Sequence, residues 1–202
     1  MKIGPKYKIA RRLGAPVFEK TQTQKYVLSL ARKEKSGRVG RRRPLSEYGL
    51  ALNEKQKARY TYGLSERQFR GYVDKALRSP LPVQKLFALL EGRLDNVLYR
   101  AGVSKTRREA RQMASHGHTL VNGRRVTVPS ILLKIGDKVG IRLGSANSVL
   151  FAELAERMKG VSAPAWLKVD SEARQAEVMG VPNYEPNSAV FDLAIVIGFY
   201  NR

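Results

Sequence analysis

Five arginines near the middle of the chain have the side-chain chemistry needed to bind phosphate. They are Arg107, Arg108 and Arg111 in one short stretch and Arg124 and Arg125 soon after it. On a helix of 3.6 residues per turn the first three lie within about 100° of one another, and each guanidinium can donate two parallel hydrogen bonds to one phosphate. Only Glu109 and Asp137 are acidic between residues 101 and 150, so salt bridges would not neutralise such a face. The pattern therefore indicates a polyanion-binding surface rather than a merely solvated helix face.

The whole chain is strongly basic, which favours a nucleic-acid partner. Its 202 residues include 38 Lys or Arg and 17 Asp or Glu, a formal net charge of +21. The excess lies in residues 1–150, whereas residues 151–202 are slightly acidic, and such self-repulsion usually accompanies a polyanionic partner. Because the chain has no cysteine, disulfides, thiolate nucleophiles and thiolate metal sites are excluded. The most apolar stretch, residues 189–200, is too short to cross a bilayer.

Catalytic and metal-binding patterns are weak. His116 and His118 are two residues apart with no cysteine or nearby carboxylate to complete a metal site, so we expect no metal and no cofactor. Asp95, in the segment Gly92-Arg93-Leu94-Asp95, resembles the aspartate nucleophile of pseudouridine synthases. The same carboxylate also suits the first turn of a helix, where the helix dipole and the free backbone N–H groups stabilise it. We therefore expect Asp95 to be structural and the protein not to be an enzyme.

Hydrophobic periodicity and turn chemistry predict the elements that position these residues. The predicted elements are helices near 53–60, 66–78, 83–90, 94–101, 107–116 and 150–158, a hairpin at 119–128, a third strand at 139–143, a short strand at 166–169 and a buried strand at 189–200. Capping boxes at Ser65–Gln68 and Thr106–Glu109 begin two of the helices, and Asn122-Gly123 is typical of a type I′ turn. The basic clusters and weak periodicity of residues 1–45 predict an irregular basic arm with one short helix around 25–35, or a disordered tail.

Many segments resemble the family of small-subunit ribosomal protein four. In the middle of the chain they are Glu91-Gly92-Arg93-Leu94-Asp95-Asn96-Val97-Leu98-Tyr99-Arg100, Ala110-Arg111-Gln112, His116, Val121-Asn122-Gly123, Pro129-Ser130 and Gly136-Asp137. Elsewhere they are Gly4-Pro5-Lys6, Arg11-Arg12-Leu13-Gly14, Leu45-Ser46-Glu47-Tyr48-Gly49-Leu50, Glu54-Lys55-Gln56-Lys57, Tyr62-Gly63-Leu64, Glu66-Arg67-Gln68-Phe69 and Trp166-Leu167. From these motifs the chain is identified as a member of that family, in a cysteine-free variant. It departs from the family at Ser36-Gly37-Arg38-Val39-Gly40, where the usual turn is Pro-Gly-Gln-His-Gly.

The resemblance implies an α+β fold in which a small RNA-binding module, two helices plus a small antiparallel sheet, is inserted into a mostly helical domain. Residues 1–45 would be a basic N-terminal arm, and residues 46–91 the helical rRNA-binding domain, which residues 175–202 complete. The inserted module would span residues 92–155, and residues 156–174 would be a return connection.

The resemblance also implies a function. Such a protein is a structural constituent of the small ribosomal subunit: it binds 16S-type rRNA early at a junction in the 5′ domain and nucleates assembly of the subunit body. It also lines the mRNA entrance, lies beside ribosomal protein five and contributes to translational accuracy. No membrane and no homo-oligomer are expected. The expected location is the cytoplasmic ribosome, with an organellar ribosome left open.

The expected rRNA-binding residues are basic side chains and their polar neighbours. They are Lys6, Lys8, Arg11, Arg12, Lys55, Lys57, Arg59, Arg67, Arg70, Arg93, Lys105, Arg107, Arg108, Arg111, His116, Asn122, Arg124 and Arg125. By the family resemblance, Arg41, Arg42 and Arg43 would lie at the mRNA channel.

Two other classes of protein remain possible on the sequence alone. A free-standing RNA-modifying enzyme, similar to a pseudouridine synthase with the same module, would need a catalytic domain for which this length leaves little room. A DNA-binding protein would need a recognition helix whose polar groups read base edges, whereas the arginines at 107, 108 and 111 suit phosphate and shape.

Overall fold

The chain forms two compact units. The computed structural model describes residues 3–35, 44–146, 148–186 and 189–201. Unit 1 comprises Met1–Leu86 and Tyr184–Arg202, and unit 2 comprises Phe87–Asn183. The middle of the chain is therefore inserted between the two segments that build unit 1.

Helices and one antiparallel sheet make up the described residues, which confirms the α+β class. The helices are α1 (Lys6–Leu13), α2 (Gln24–Lys35), α3 (Glu47–Thr61), α4 (Glu66–Leu77), α5 (Pro82–Glu91), α6 (Leu94–Arg100), α7 (Arg107–Ser115), α8 (Leu143–Ala146), α9 (Leu154–Lys159) and α10 (Leu193–Tyr200). The strands are β1 (Thr119–Val121), β2 (Arg124–Val126), β3 (Lys138–Ile141), β4 (Leu167–Asp170) and β5 (Gln175–Val178). No helix among the described residues is long and apolar enough to cross a membrane.

In unit 1 the C-terminal helix completes the packing of the N-terminal helices. Helix α10 lies against α3 and α4, and the Phe199 and Tyr200 rings contact Tyr48 and Phe69, with ring centroids 5.4 and 6.3 Å apart respectively. Helix α4 begins with the predicted capping box: the Gln68 N–H donates to the Ser65 hydroxyl, and the Ser65 N–H donates to the Gln68 side chain. Two exposed backbone donors are thereby satisfied where the chain turns into the helix.

In unit 2 a five-stranded antiparallel sheet accompanies the α6–α7 helix pair. The strand order is β2-β1-β3-β5-β4, so β2 and β4 are its two edges. The β1–β2 turn places Asn122 at φ 50° and Gly123 at φ 77°, which confirms the type I′ turn. Apolar side chains of both helices, among them Leu94, Leu98 and Met113, form one buried core with Val139 of β3 and with other residues of the unit.

The expectation of a strand at residues 189–200 is wrong, because this stretch forms helix α10. Its Ile and Val residues favour strands, but Asp192 caps the helix by accepting hydrogen bonds from the N–H groups of Ala194 and Ile195. Three of its side chains (Leu193, Val196 and Ile197) are buried. Capping and burial therefore outweigh the local β propensity.

Three further expectations need correction. Within residues 3–35 the short helix expected around 25–35 is confirmed as α2, but Lys6–Leu13 forms a further helix, α1, which buries Ala10 and Leu13 where an irregular arm was expected. The third strand ends at Ile141, and Leu143 begins the short helix α8 instead. Residues 156–178 are neither a return connection nor a part of the helical domain: α9, β4 and β5 belong to unit 2, where β5 pairs with both β3 and β4.

Candidate nucleic-acid interface

The arginines of helix α7 divide into two kinds. Arg108 is exposed, whereas Arg111 donates from Nε and Nη2 to Oδ2 of Asp95 at 2.8 and 2.7 Å. Arg107 donates from Nε to Oδ1 of Asn96 at 2.7 Å, and its guanidinium lies 4.3 Å from the Tyr99 ring centroid. Three arginines of this helix face were expected to bind phosphate. Only Arg108 is fully exposed to solvent, while Arg107 and Arg111 bind residues of α6.

Asp95 is the centre of a buried ion network rather than a helix cap. Its carboxylate is 3% exposed and accepts a bidentate pair of hydrogen bonds from Arg93 at 2.9 and 2.7 Å, in addition to those from Arg111. The free N–H groups at the start of α6 are satisfied elsewhere, because the Asp95 N–H donates to the carbonyl of Pro129 and the Leu94 N–H to that of Ile131. Asp95 is thus structural, as expected, but through ion pairs instead of capping.

Glu91 is a second buried carboxylate in the same region. It is 1% exposed and accepts two hydrogen bonds from Arg100, at 2.8 and 3.0 Å, and one from the Asn96 amide at 2.8 Å. The Arg107 guanidinium lies 3.9 Å from its Oε1. Because a carboxylate is costly to bury unless it is paired, these arginines stabilise the α5–α6–α7 junction.

Arg93 cannot present its side chain to a ligand, since it is 3% exposed and bound to Asp95. Its inclusion among the expected rRNA-binding residues is therefore incompatible with its burial. No sequence pattern predicts this role or the roles of Glu91, Asn96 and Arg100. These side chains bind Asp95 and one another, and Arg107 of α7 reaches both Asn96 and Glu91, which hydrophobic periodicity does not predict.

Exposed polar and basic side chains of unit 2 occur at both ends of α7 and on the β1–β2 hairpin. Lys105, Arg108, Arg124 and Arg125 are exposed, as are His116 and Asn122. Arg125 donates from Nη2 to the carbonyl of His116 at 3.3 Å, which joins the hairpin to the helix end. A side chain at Gly117, whose φ is 73°, would collide with the Arg125 guanidinium. The hydrogen bond to the His116 carbonyl therefore holds the Arg125 guanidinium close to Gly117.

Asn122 has a structural task within the turn. Its amide donates to Oδ1 of Asp137 at 2.8 Å, and its carbonyl oxygen accepts from the Lys138 N–H at 2.9 Å. The Asn122 side chain is thus bound by Asp137, just before β3, and by Lys138, the first residue of β3. The capping of α7 also differs in detail from the expected box: Thr106 accepts from the Glu109 N–H, but the Glu109 carboxylate accepts from the Lys105 N–H.

In unit 1 a second ion network engages several expected RNA-binding side chains. Glu66 of α4 accepts from Lys55 at 2.8 Å, from Arg59 at 3.2 Å and from the Tyr200 hydroxyl at 2.7 Å. Lys55 is buried, with its ammonium 4.7 Å from the Phe199 ring centroid, so, like Arg93, it is inaccessible to a ligand. Lys57 is paired with Glu54 at 2.6 Å.

The Glu66 network shifts two pKa values. Burial acts to raise the pKa of the Glu66 carboxyl, but the hydrogen bonds from Lys55 and Tyr200 and the charges of Lys55 and Arg59 together hold it below its ordinary value. Burial raises the pKa of the Tyr200 hydroxyl, and its hydrogen bond to the Glu66 carboxylate raises it further. The hydroxyl therefore stays protonated and acts as the donor.

The remaining basic candidates of unit 1 are mostly at the surface. Lys8, Arg12, Arg67 and Arg70 are exposed. Arg11 donates to the carbonyl of Tyr7 at 3.1 Å, and the Lys6 ammonium lies 5.7 Å from the Phe18 ring centroid. Arg41, Arg42 and Arg43, like the departing turn at residues 36–40, lie outside the described residues. Among the residues that the structure describes, no three His, Asp or Glu side chains form a metal-binding group.

Comparison with known proteins agrees with the division of the chain. Residues 1–91 match the family described as ribosomal protein S4/S9 N-terminal domain, and residues 92–139 match the S4 domain. The second match covers α6, α7, β1 and β2, the elements that carry the Asp95 network and the exposed hairpin arginines.

Curated relatives are similar over nearly the full chain. The small ribosomal subunit protein uS4 of Roseiflexus castenholzii is 41% identical over 207 residues, which cover 99% of this chain and 98% of the relative. That of Persephonella marina is 43% identical over 98% of both chains. That of Pelotomaculum thermopropionicum is 45% identical over 80% of this chain and 78% of the relative.

These relatives are named as ribosomal proteins, not enzymes, and Asp95 is buried between two arginines. The alternative of a pseudouridine synthase is therefore excluded, and the expectation that the protein is not an enzyme is confirmed. From the two family matches and the full-length similarity, the chain belongs to the bacterial-type small ribosomal subunit protein uS4 family.

Proposed function

We propose that this protein is a structural constituent of the small ribosomal subunit and binds its rRNA directly. The observation that carries the proposal is the set of exposed cations near the start of α7 and on the β1–β2 hairpin, namely Arg108, Arg124 and Arg125. No carboxylate neutralises them among the described residues, and they belong to a chain of net charge +21. Guanidinium groups held on a rigid helix end and a tight turn suit the phosphate ridge of a folded RNA.

Unit 1 supplies a second set of exposed cations, Lys8, Arg12, Arg67 and Arg70. With two basic surfaces in one chain, the protein would bind early at a junction of rRNA helices in the 5′ domain of 16S-type rRNA and nucleate assembly of the subunit body. Charge on both units supports this role, because a junction presents phosphates from several helices at once. The working location would be the ribosome in the cytoplasm.

The finer roles concern mRNA. Arg41, Arg42 and Arg43 would line the mRNA entrance beside ribosomal protein five and contribute to translational accuracy. Replacing the three by Gln is expected to spare subunit assembly and to slow translation through structured mRNA. If subunits containing this variant fail to assemble, the cluster is an rRNA anchor instead.

The direct test is binding of the full chain to a small-subunit rRNA transcript and to duplex DNA of equal length over a range of salt concentrations. We expect tighter binding to the rRNA, with a log–log salt slope that corresponds to roughly 5–10 released counterions. Equal affinity for random duplex DNA at every salt concentration would contradict the proposal and favour a general DNA-binding protein. Sedimentation of tagged chain with small subunits through a high-salt wash provides the matching test in cells.

A further inference from the structure

Three rings at the end of helix α7 form a column that runs from the core of unit 2 to its surface. Phe151 is fully buried, and the His118 ring meets it edge-on with centroids 5.9 Å apart and an interplanar angle of 66°. The His116 ring lies parallel to that of His118, at 8° and a centroid distance of 6.1 Å, in the range of offset stacking. His116 is exposed, so the outermost ring of the column is accessible.

The backbone holds this column rigidly. After α7 the His118 N–H donates to the carbonyl of Met113 at 3.1 Å and the Gly117 N–H to that of Ala114 at 2.8 Å, with Gly117 at φ 73°. This pair of bonds is a Schellman motif, which fixes the residues on either side of the glycine. The His118 ring is held in addition by a 2.9 Å hydrogen bond between its Nδ1 and the Ser145 hydroxyl.

The His116 side chain has no evident task in the fold. Its ring makes no hydrogen bond to any residue that the structure describes, and His118 is the described ring that stacks on it. One cation lies beside it, because the Arg125 guanidinium donates to the His116 carbonyl at 3.3 Å. A flat ring supported by a second ring, with a guanidinium beside it, combines the two groups that proteins use to bind an unpaired nucleotide.

We propose that His116 is a stacking platform for one unpaired nucleobase of the bound RNA, with Arg125 beside it for the adjoining phosphate. This inference rests on the proposed function and adds a second kind of contact to it, since stacking requires a flat ring and not a charge. The backing by His118 means that the platform is already in place before the RNA binds, so little side-chain freedom is lost on binding.

Substitutions at position 116 separate stacking from charge. The full chain and three variants, His116→Phe, His116→Lys and His116→Gln, are titrated against the same small-subunit rRNA transcript at fixed salt. We expect the Phe variant to bind within about twofold of the unsubstituted chain, because it keeps the ring. The Lys and Gln variants should bind about tenfold more weakly, a loss typical of one stacked base. Unfolding followed by the fluorescence of Trp166, the single tryptophan, should be the same for all four proteins.

The other outcomes are equally informative. If the Lys variant binds like the unsubstituted chain and the Phe variant does not, His116 contacts phosphate as a cation and the stacking proposal is wrong. If all three variants bind like the unsubstituted chain, the ring is only a surface side chain and the proposal is again overturned, while rRNA binding itself stands. If the unsubstituted chain does not bind the transcript, the proposed function fails at an earlier step.

Discussion

Units 1 and 2 each contain an ion network centred on carboxylates, and the two differ in burial. In unit 1 a single carboxylate, Glu66, is 42% exposed and binds a lysine, an arginine and a tyrosine hydroxyl. In unit 2 Glu91 and Asp95 are almost completely buried, and four arginines surround them. Water screens the first network and not the second, so the same kinds of residue should contribute very differently to stability.

This difference also shows why a count of basic residues overstates an RNA-binding surface. Arg93, Arg100, Arg107 and Arg111 all engage buried carboxylates, whereas Arg108, Arg124 and Arg125 do not. The first group stabilises the fold of unit 2, and the second group is exposed and is the one that we propose to bind phosphate. Stability and RNA affinity should therefore respond to different arginines, and the following experiments test that division.

The largest effect is expected from Asp95→Asn. The variant removes the buried carboxylate charge that pairs with Arg93 and Arg111, and breaking a buried ion pair costs about 3–5 kcal/mol. Urea unfolding followed by Trp166 fluorescence measures this, because Trp166 packs against the core of unit 2. Glu172→Gln removes the same charge from an exposed position of the same unit and should change stability by less than about 0.5 kcal/mol. Equal losses of unfolding free energy in the two variants would mean that the buried Asp95 network stabilises unit 2 no more than an exposed carboxylate does.

A smaller effect is expected from Glu66→Gln in unit 1, about 1–2 kcal/mol, since the carboxylate is partly exposed while its partner Lys55 is buried. The contribution should depend on pH. Because the folded pKa lies below the ordinary value of 4.5, the stabilisation is complete above that pH and is lost as the pH falls through the folded pKa.

The measurement is far-UV circular dichroism during urea unfolding at a series of pH values, since α1 to α4 and α10 all lie in unit 1. The stability difference between the unsubstituted chain and Glu66→Gln should narrow below about pH 4.5. Asp74→Asn, an exposed carboxylate on the same helix, serves as the control and should show no such narrowing. A difference that persists at acid pH would show that Glu66 stabilises unit 1 by packing and not by charge.

The smallest of the stability effects is expected from Tyr200→Phe, about 0.5–1.5 kcal/mol, the usual range for one hydrogen bond. The variant keeps the ring contact with Phe69 and removes only the donation to Glu66. The loss should vanish when Tyr200→Phe is made in the Glu66→Gln background. If the two losses simply add, the hydroxyl acts independently of the carboxylate.

Local signals in the sequence predicted local structure well. The capping residues Ser65 and Gln68 and the Asn122-Gly123 turn have the expected geometry, since each depends on residues within three positions of one another. The sequence predicts a strand in place of α10 because the β-branched residues are read directly from it. The surface of α3 against which these residues pack cannot be read from the sequence.

Contacts between residues that are distant in sequence also explain why the expected phosphate-binding face of α7 is only partly exposed. The helical wheel placed Arg107, Arg108 and Arg111 on one side of α7, but the wheel does not show what faces that side. Asp95 and Asn96 come from the preceding helix, at sequence separations of 16 and 11 residues from Arg111 and Arg107 respectively. Arg108, Arg124 and Arg125 are exposed, as expected from the side of α7 and the hairpin on which they lie, and their contact with RNA stays a prediction.

The most direct test of the account is the salt dependence of rRNA binding by two charge-matched double variants of the full chain. Arg108→Gln/Arg124→Gln removes two of the exposed guanidiniums, and Lys159→Gln/Lys168→Gln removes two exposed charges from α9 and β4, the latter at the opposite edge of the sheet from β2. We predict weaker binding and a log–log slope reduced by about one unit per lost contact for the arginine pair. The lysine pair should leave both unchanged. Equal reductions in the two variants, or none in either, would contradict the assignment of the RNA surface to α7 and the β1–β2 hairpin.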